Sequence, residues 1–243
     1  MLAFDRSNAK YKPQVKIAKT REGLNSEYYV EYSGFIVYKV LMESRSTQKL
    51  DEEAIRLQIL DAALARFTNY GFGKTTMAEI ASDTSMSAAN LYRYFKNKHD
   101  IASACAQRCM GEQADLLRDI TRNSNLSAAE KLERFILETL RYTYDTSKNQ
   151  PKISELVETI VTERPDIVHV KLKKMYSLIA EILVEGNSRG DFEIEDVMAM
   201  AETVHAATKV FQVPIFMGLH EYPHFEQMAK DVSRLLLNGL NKR

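Results

Sequence analysis

Apolar residues recur at three- and four-residue spacing from Asp51 onward, and this periodicity constrains the fold more than any other feature of the chain. The first stretch carries apolar side chains at Ile55, Ile59, Leu60, Ala63, Leu64 and Phe67. This spacing places them on one face of an amphipathic helix, which Gly71 would end in a left-handed conformation. With nine Gly and five Pro in 243 residues, the chain is poor in the turn residues of an all-β protein. We therefore predict an all-α fold.

Capping residues predict where the next helices begin. Thr76 and Glu79 have the spacing of a capping box, in which each side chain satisfies a free N–H of the other residue. Ser87 and Asn97 are N-cap residues for a third and a fourth helix. Ser127 and Glu130 form another capping-box pair, which starts a helix to about Thr146. Residues 127–243 as a whole predict five more helices, one of them from Ile194 to about Gly218 with a kink or break at Pro214.

These patterns divide the chain into three parts. Residues 1–48 form a mixed N-terminal extension that we expect to be poorly ordered, although Tyr28–Met42 has the aromatic and β-branched content of a hairpin. Residues 49–100 form a small three-helix unit, and residues 101–243 form a larger helical bundle.

Composition predicts a cytoplasmic protein. The longest apolar run, Phe35–Met42, is far shorter than the roughly 20 residues of a membrane-spanning helix. The opening residues are charged where a signal peptide needs apolar residues. Cys105 and Cys109, the two cysteines of the chain, suit a reducing compartment. We predict neither a cofactor nor a bound metal.

Local charge is concentrated between Met86 and Lys98. This segment holds three cations and no acid, whereas the whole chain balances 33 Lys and Arg against 33 Asp and Glu. The first of two short helices, which starts at Thr76, precedes this segment. The second starts at Ser87, after a four-residue turn, and lies within it. A local cationic excess on such a pair is typical of a helix-turn-helix that lies against DNA phosphates.

The same residues carry a family resemblance. The segment TTMAEIASDTSMSAANLYRYFKNKHDI follows the helix ALARFTNYGF, and its LY-x-YF-x-NK core is specific. From Ile55 to about Cys105 the chain resembles the N-terminal DNA-binding domain of the TetR family of bacterial regulators. The resemblance implies a homodimer that binds a palindromic operator of double-stranded DNA. It also implies a repressor that leaves the operator when a small-molecule effector binds the C-terminal bundle, where dimerisation also takes place.

The resemblance also implies which residues contact DNA. Thr76 would bind a phosphate, Tyr92 would lie on a base edge, and Tyr94 and Lys98 would hold phosphates on either side of the groove. Asn and Arg are the side chains best suited to reading adenine and guanine. Ala78 and Ala88 stand where members of the family often have a basic or polar residue that contacts bases. Ser85 stands where they usually have a glycine in the turn. The expected DNA contacts are Thr76, Ser87, Asn90, Tyr92, Arg93, Tyr94, Lys96 and Lys98.

For the effector and the dimer the sequence offers candidates only. Apolar or amphipathic residues on the bundle helices suit a moderately apolar ligand, with core packing as the alternative for each. Small residues in Met198–Ala207, together with Leu235, Leu236, Leu237 and Leu240, suit an isologous four-helix interface or the core of one monomer. The effector candidates are Tyr142, Tyr144, Met175, His205, Phe211 and Met217.

Other chemistry has weak support. Tyr92 and Lys96 have the spacing of a reductase pair, but no glycine-rich nucleotide loop accompanies them. Cys105 and Cys109 are better interpreted as buried small hydrophobes than as a redox pair. We predict no enzyme. The alternative function is a helical dimeric protein-interaction module that has lost sequence-specific DNA binding.

Overall fold

A short hairpin comes first in the part of the chain that the structure, a computed structural model, describes. Its strands β1 (Glu31–Tyr32) and β2 (Phe35–Ile36) pair antiparallel. The remaining residues up to 43 lie outside the described part, so the expected poor order of residues 1–48 stays a prediction. The structure describes residues 31–32, 35–36 and 44–240, with side chains for residues 50–240.

Nine α-helices make up almost all of the described chain, which confirms the predicted all-α class. The described residues form two compact units that meet in sequence between Leu57 and Gln58, and the contacts below lie within the second. The helices are α1 (Ser44–Tyr70), α2 (Met77–Asp83), α3 (Ala88–Tyr94), α4 (Lys98–Thr121), α5 (Ala128–Asn149), α6 (Ile153–Glu163), α7 (Pro165–Arg189), α8 (Val197–Ala207) and α9 (Tyr222–Leu240).

The predicted caps start four of these helices. The Thr76 hydroxyl accepts the N–H of Glu79 at 3.3 Å, and the Glu79 carboxylate accepts the N–H of Thr76 at 2.8 Å. Ser87 and Asn97 cap α3 and α4, and Ser127 caps α5 with a second capping box. Each cap satisfies N–H groups that the first turn of a helix leaves without a partner.

Helix α8 is shorter than the predicted helix from Ile194 to Gly218. It ends at Ala207, and two 3₁₀ helices follow it, Lys209–Gln212 and Pro214–Gly218. The Gln212 side chain donates to the carbonyl of His205 at 3.1 Å, and Pro214 has no N–H to continue an α-helix. Beyond Thr208 the backbone hydrogen bonds are of the shorter 3₁₀ type, such as that from the Phe211 N–H to the Thr208 carbonyl at 3.1 Å.

The main core lies between α5 and the helices around it. Leu132 and Leu140 of α5 are fully buried, and α5 packs against α4, α7 and α9. An ion pair joins buried Lys131 of α5 to half-buried Glu185 of α7. Within the described chain, every helix is too short or too polar to cross a bilayer.

Candidate nucleic-acid interface

Helices α2 and α3 form a helix-turn-helix that presents one face of α3 outward. Ile80 of α2 packs inward, as do Leu91 of α3 and Phe95 directly after it. In the turn, Ser85 has the left-handed φ of 56° that was expected from its glycine-like position, and the Met86 N–H donates to the Ala81 carbonyl at 2.8 Å. The two helices are thus held in a defined orientation.

Five of the expected DNA contacts lie on the open side of α3 or at its ends. The Tyr92 ring is 53 % exposed, Arg93, Lys96 and Ser87 are exposed, and Asn90 is half-buried. Among the described residues, no carboxylate pairs with Arg93 or Lys96. A cationic, acid-free face with an outward aromatic ring suits contact with phosphates and base edges.

Thr76 is engaged in the capping box that the sequence predicted, whereas Lys98 makes internal contacts that sequence reasoning missed. The Thr76 hydroxyl donates to the Glu79 carboxylate at 2.8 Å. The Lys98 ammonium donates to the carbonyls of Phe72 at 2.7 Å and Thr75 at 2.8 Å, and lies 4.3 Å from the centre of the Phe72 ring. Burial lowers the pKa of Lys98. Tyr94, the remaining expected contact, is half-buried.

Arg66 of α1 pairs with both acids of α2. Its guanidinium donates to both carboxylate oxygens of Asp83, at 2.5 and 2.9 Å, and lies 3.2 Å from the Glu79 carboxylate. The hydrogen bond from Arg66 holds the pKa of Asp83 below its ordinary value. This pairing fastens α2 to α1 and reduces the negative potential beside the exposed face of α3.

Helix α6 connects the helix-turn-helix with the bundle. At its start, the Lys152 N–H donates to the Thr68 carbonyl of α1 at 2.9 Å. At its end, Glu163 lies 2.5 Å from the His99 ring nitrogen of α4, and the neighbouring Arg164 donates to Ser103 of α4 at 3.0 Å. A displacement of α6 would therefore be transmitted to both α1 and α4 of the DNA-binding unit.

The six effector candidates do not line one shared pocket. The Tyr142 hydroxyl donates to the Cys109 carbonyl of α4 at 3.2 Å, and burial raises its pKa. Tyr144, two residues on, faces the start of α9: its hydroxyl donates to Glu221, the residue before that helix, at 3.2 Å, and its ring contacts Phe225. Tyr144 shares the buried apolar core with Met175, Phe211 and Met217.

His205, the remaining candidate, lies apart from Tyr144. Its ring packs edge-on against Tyr176 of α7 at 5.2 Å. Burial, together with the charges of Lys209 and Lys171, lowers the pKa of His205 to about 4. The imidazole is therefore neutral near pH 7 and can both donate and accept a hydrogen bond.

Cys105 is buried and Cys109 is half-buried. Cys105 is fully buried, and burial raises the pKa of its thiol to about 12. Burial also raises the pKa of Cys109. Because thiolate is the reactive form, these surroundings suppress redox chemistry at both sites and support packing as their role.

The residues expected at a dimer interface divide between the core and the surface. Ala201 and Val204 of α8 and Leu240 of α9 are buried within the monomer. Leu235 of α9 is 73 % exposed, and Met198 of α8 is also exposed. One side of each helix thus builds the monomer, while the other stays open.

Two family models match this chain. Residues 59–105 match the model of bacterial regulatory proteins of the tetR family, and residues 128–233 match a tetracyclin repressor-like C-terminal domain. The HTH-type transcriptional regulator RutR of Escherichia coli K12 is 25% identical over 196 residues, which cover 76% of this chain and 90% of RutR.

Solved structures show the same fold. A TetR-family transcriptional regulator from Mesorhizobium loti superposes with a TM-score of 0.66 at 16% identity, covering 79% of this chain and 98% of the other. Thermus thermophilus FadR, a TetR-family repressor in complex with lauroyl-CoA, has a TM-score of 0.55 at 19% identity, covering 77% and 96%. Since the two family models span more than half of the sequence and the helix-turn-helix is in place, the chain belongs to the TetR family and is a DNA-binding transcriptional regulator.

Proposed function

We propose that the protein is a cytoplasmic homodimeric repressor that binds a palindromic operator through α3 and leaves it when a small molecule binds the bundle. The observation that carries the proposal is the outward side of α3 and the residues just after it, where Asn90, Tyr92, Arg93 and Lys96 reach the surface without an acid among them. Buried Leu91 holds that face in place from behind. Phosphate contacts would set the register, and base contacts would set the sequence.

Selection of bound sequences from a random duplex pool tests this function. We expect enrichment of one inverted repeat, with half-site centres about 34–36 Å apart or a multiple of that spacing, because two symmetry-related helices enter successive grooves. The double substitution Asn90→Ala and Arg93→Ala should abolish the enrichment while leaving the fold intact, as both side chains lie outside the core. Enrichment of no sequence would favour the protein-interaction alternative.

The dimer is supported by the open sides of α8 and α9. Exposed Met198, the small residues Ala199 and Thr203, and exposed Leu235 allow two such helix pairs to pack as an isologous four-helix bundle. Light scattering at micromolar concentration should give a dimer, and Leu235→Glu should shift it toward monomer. A monomeric wild-type protein would contradict the proposal.

Release by a ligand is supported by the position of α6 and by the relatives. Thermus thermophilus FadR was solved with lauroyl-CoA, and another structural relative, at 18% identity, with triclosan. In this chain, α6 packs against α5 and α7 and contacts the DNA-binding unit. A ligand that favours one arrangement of α7 would shift the population of DNA-competent dimers.

A further inference from the structure

An open cleft of about 480 Å³ lies where the DNA-binding unit meets the bundle. Its lining comes from the last turn of α1, from the segment that leads into α2 and from the start of α6. The first two belong to the DNA-binding unit, and α6 belongs to the bundle. The two sides are joined at this point by the Lys152 N–H, which donates to the Thr68 carbonyl at 2.9 Å.

The cleft carries an excess of positive charge. Its lining includes three cations, Arg66, Lys74 and Lys152, and one acid, Glu79. The acid already has partners, because its carboxylate lies 3.2 Å from the Arg66 guanidinium and accepts the N–H and the hydroxyl of Thr76 at 2.8 Å. The cleft thus has two more positive than negative side chains, whereas the whole chain has a net charge of zero.

The two lysines of the cleft are available to a ligand. Both are exposed, and among the described residues Lys74 forms no ion pair or hydrogen bond. The Lys152 ammonium lies 3.3 Å from the Glu155 carboxylate, with about half of each side chain exposed. Exposed pairs of this kind contribute little energy, so an anion can compete for the lysine. Between the cations lies the Tyr70 ring, which is 63 % exposed and offers a hydroxyl donor.

The position of the cleft matches the path of a DNA backbone. When the second helix of a helix-turn-helix lies in the major groove, the first helix crosses the backbone of the duplex. The first helix is α2 in this chain, and Lys74 and Thr75 of the cleft directly precede its cap. Lysine, threonine, asparagine and tyrosine are side chains that bind phosphate oxygens in DNA complexes. An open cationic cleft suits a polyanion that lies along the surface better than an enclosed small molecule.

We propose that this cleft binds a backbone phosphate of the operator, outside the groove that α3 enters. Lys74 and Lys152 contact the phosphate, and the Tyr70 hydroxyl donates a hydrogen bond to it. The bundle therefore contacts DNA directly through Lys152, and a displacement of α6 removes this contact. The inference rests on the proposed function, in which α3 lies in the major groove.

The test measures phosphate contacts on the full-length protein. Lys74→Met and Lys152→Met should each weaken binding to operator and to random duplex alike, by about two- to fivefold, because a phosphate contact carries no sequence information. The double variant should lower the salt slope by about 1 for each half-site. In ethylation interference, one phosphate per half-site should inhibit binding of the wild type when ethylated and should have no effect on the double variant.

Lys230→Met is the matched control for Lys152→Met. The Lys230 side chain is 40 % exposed and pairs with Glu226 at 3.4 Å on α9, outside the cleft. Its replacement should leave the salt slope and the interference pattern unchanged. Lys152→Arg keeps the charge and should bind as the wild type does. All of these variants should melt within a few degrees of the wild type, since the side chains lie at the surface.

The source of the phosphate is tested without DNA. Calorimetry with inorganic phosphate and with adenosine monophosphate should show no saturable binding in the submillimolar range. Binding that is lost in Lys74→Met would mean that the cleft holds a free phosphate ester, and it would overturn the backbone assignment.

Two results with DNA would also overturn the inference: a wild-type salt slope in the double variant, or wild-type affinity in Lys152→Met. Operator binding by the wild type is measured first. Its absence would overturn the proposed function, whereas operator binding that is insensitive to both lysines would overturn the cleft contact alone.

Discussion

At the scale of single residues, the turn of the helix-turn-helix stores a small strain. Ser85 is the one non-glycine residue in the described chain with a positive φ, at 56°. A side chain in this left-handed region costs roughly 1–2 kcal/mol relative to glycine. The turn holds Ser85 there because its N–H donates to Ser82 and the next N–H donates to Ala81.

Ser85→Gly should therefore stabilise the protein. We expect a gain of about 0.5–1 kcal/mol in the free energy of unfolding, since relief of strain exceeds the added flexibility of the unfolded chain. Urea denaturation measures the gain, and operator affinity should stay within twofold. Ser82→Gly, inside α2, is the control and should destabilise. A loss of stability in Ser85→Gly would contradict this account.

Arg93 and Lys96 should differ in their effects on DNA binding. Arg93→Ala should reduce discrimination at one base pair by about 1–3 kcal/mol, because a guanidinium can read a base edge in two hydrogen bonds. Lys96→Ala should weaken operator and random duplex alike and lower the salt slope by about 1. Titration of both duplexes at several salt concentrations measures both effects. Identical losses for the two variants would contradict the assigned roles.

At the scale of elements, Lys98 joins the start of α4 to the segment between α1 and α2. Its ammonium donates to the carbonyls of Phe72 and Thr75, which are 26 and 23 residues away in sequence. These bonds satisfy carbonyls that a turn leaves without helical partners. Lys98 therefore positions the helix-turn-helix from within, whereas Lys96, two residues earlier, is exposed.

Lys98→Met should lower stability, whereas Lys96→Met should not. We expect a loss of about 1–3 kcal/mol for Lys98→Met, because two carbonyls lose a charged donor. The change for Lys96→Met should stay within about 0.5 kcal/mol, as is usual for exposed positions. Thermal and urea unfolding measure both variants. Equal stability of the two would show that Lys98 has no internal role.

At the scale of the whole molecule, α6 links the bundle to the DNA-binding unit by contacts at both ends. Lys152 reaches Thr68 of α1, and Glu163 reaches His99 of α4. The end of α1 and the start of α6 also approach each other closely at Gly71, where a Cβ would lie 2.3 Å from the Glu155 carboxylate of α6. Gly71, with φ of 94°, thus both ends α1 and lets α6 approach.

Removal of the contact between His99 and Glu163 should weaken the coupling between the DNA-binding unit and the bundle more than it weakens operator binding. In the wild type, the operator duplex should change amide hydrogen exchange in α6 and α7, because a ligand at one site shifts the states available to the other. In His99→Ala, we expect that change to fall by at least half, with operator affinity within about threefold of the wild type. Lys230→Ala, which breaks an exposed pair on α9, is the control. If the operator changed hydrogen exchange in α6 and α7 of His99→Ala as much as in the wild type, the contact between His99 and Glu163 would not carry the coupling.

Local chemistry in the sequence determined the all-α class, the helix starts at Thr76, Ser87, Asn97 and Ser127, and the outward face of α3. These features depend on partners within about four residues, so spacing alone reports them.

Only the tertiary structure decided which cationic side chains make contacts within the protein. The carbonyls that bind Lys98 and the acids that pair with Arg66 are distant from them in sequence. Sequence spacing cannot report such contacts, because they exist only once the packed helices bring remote groups together.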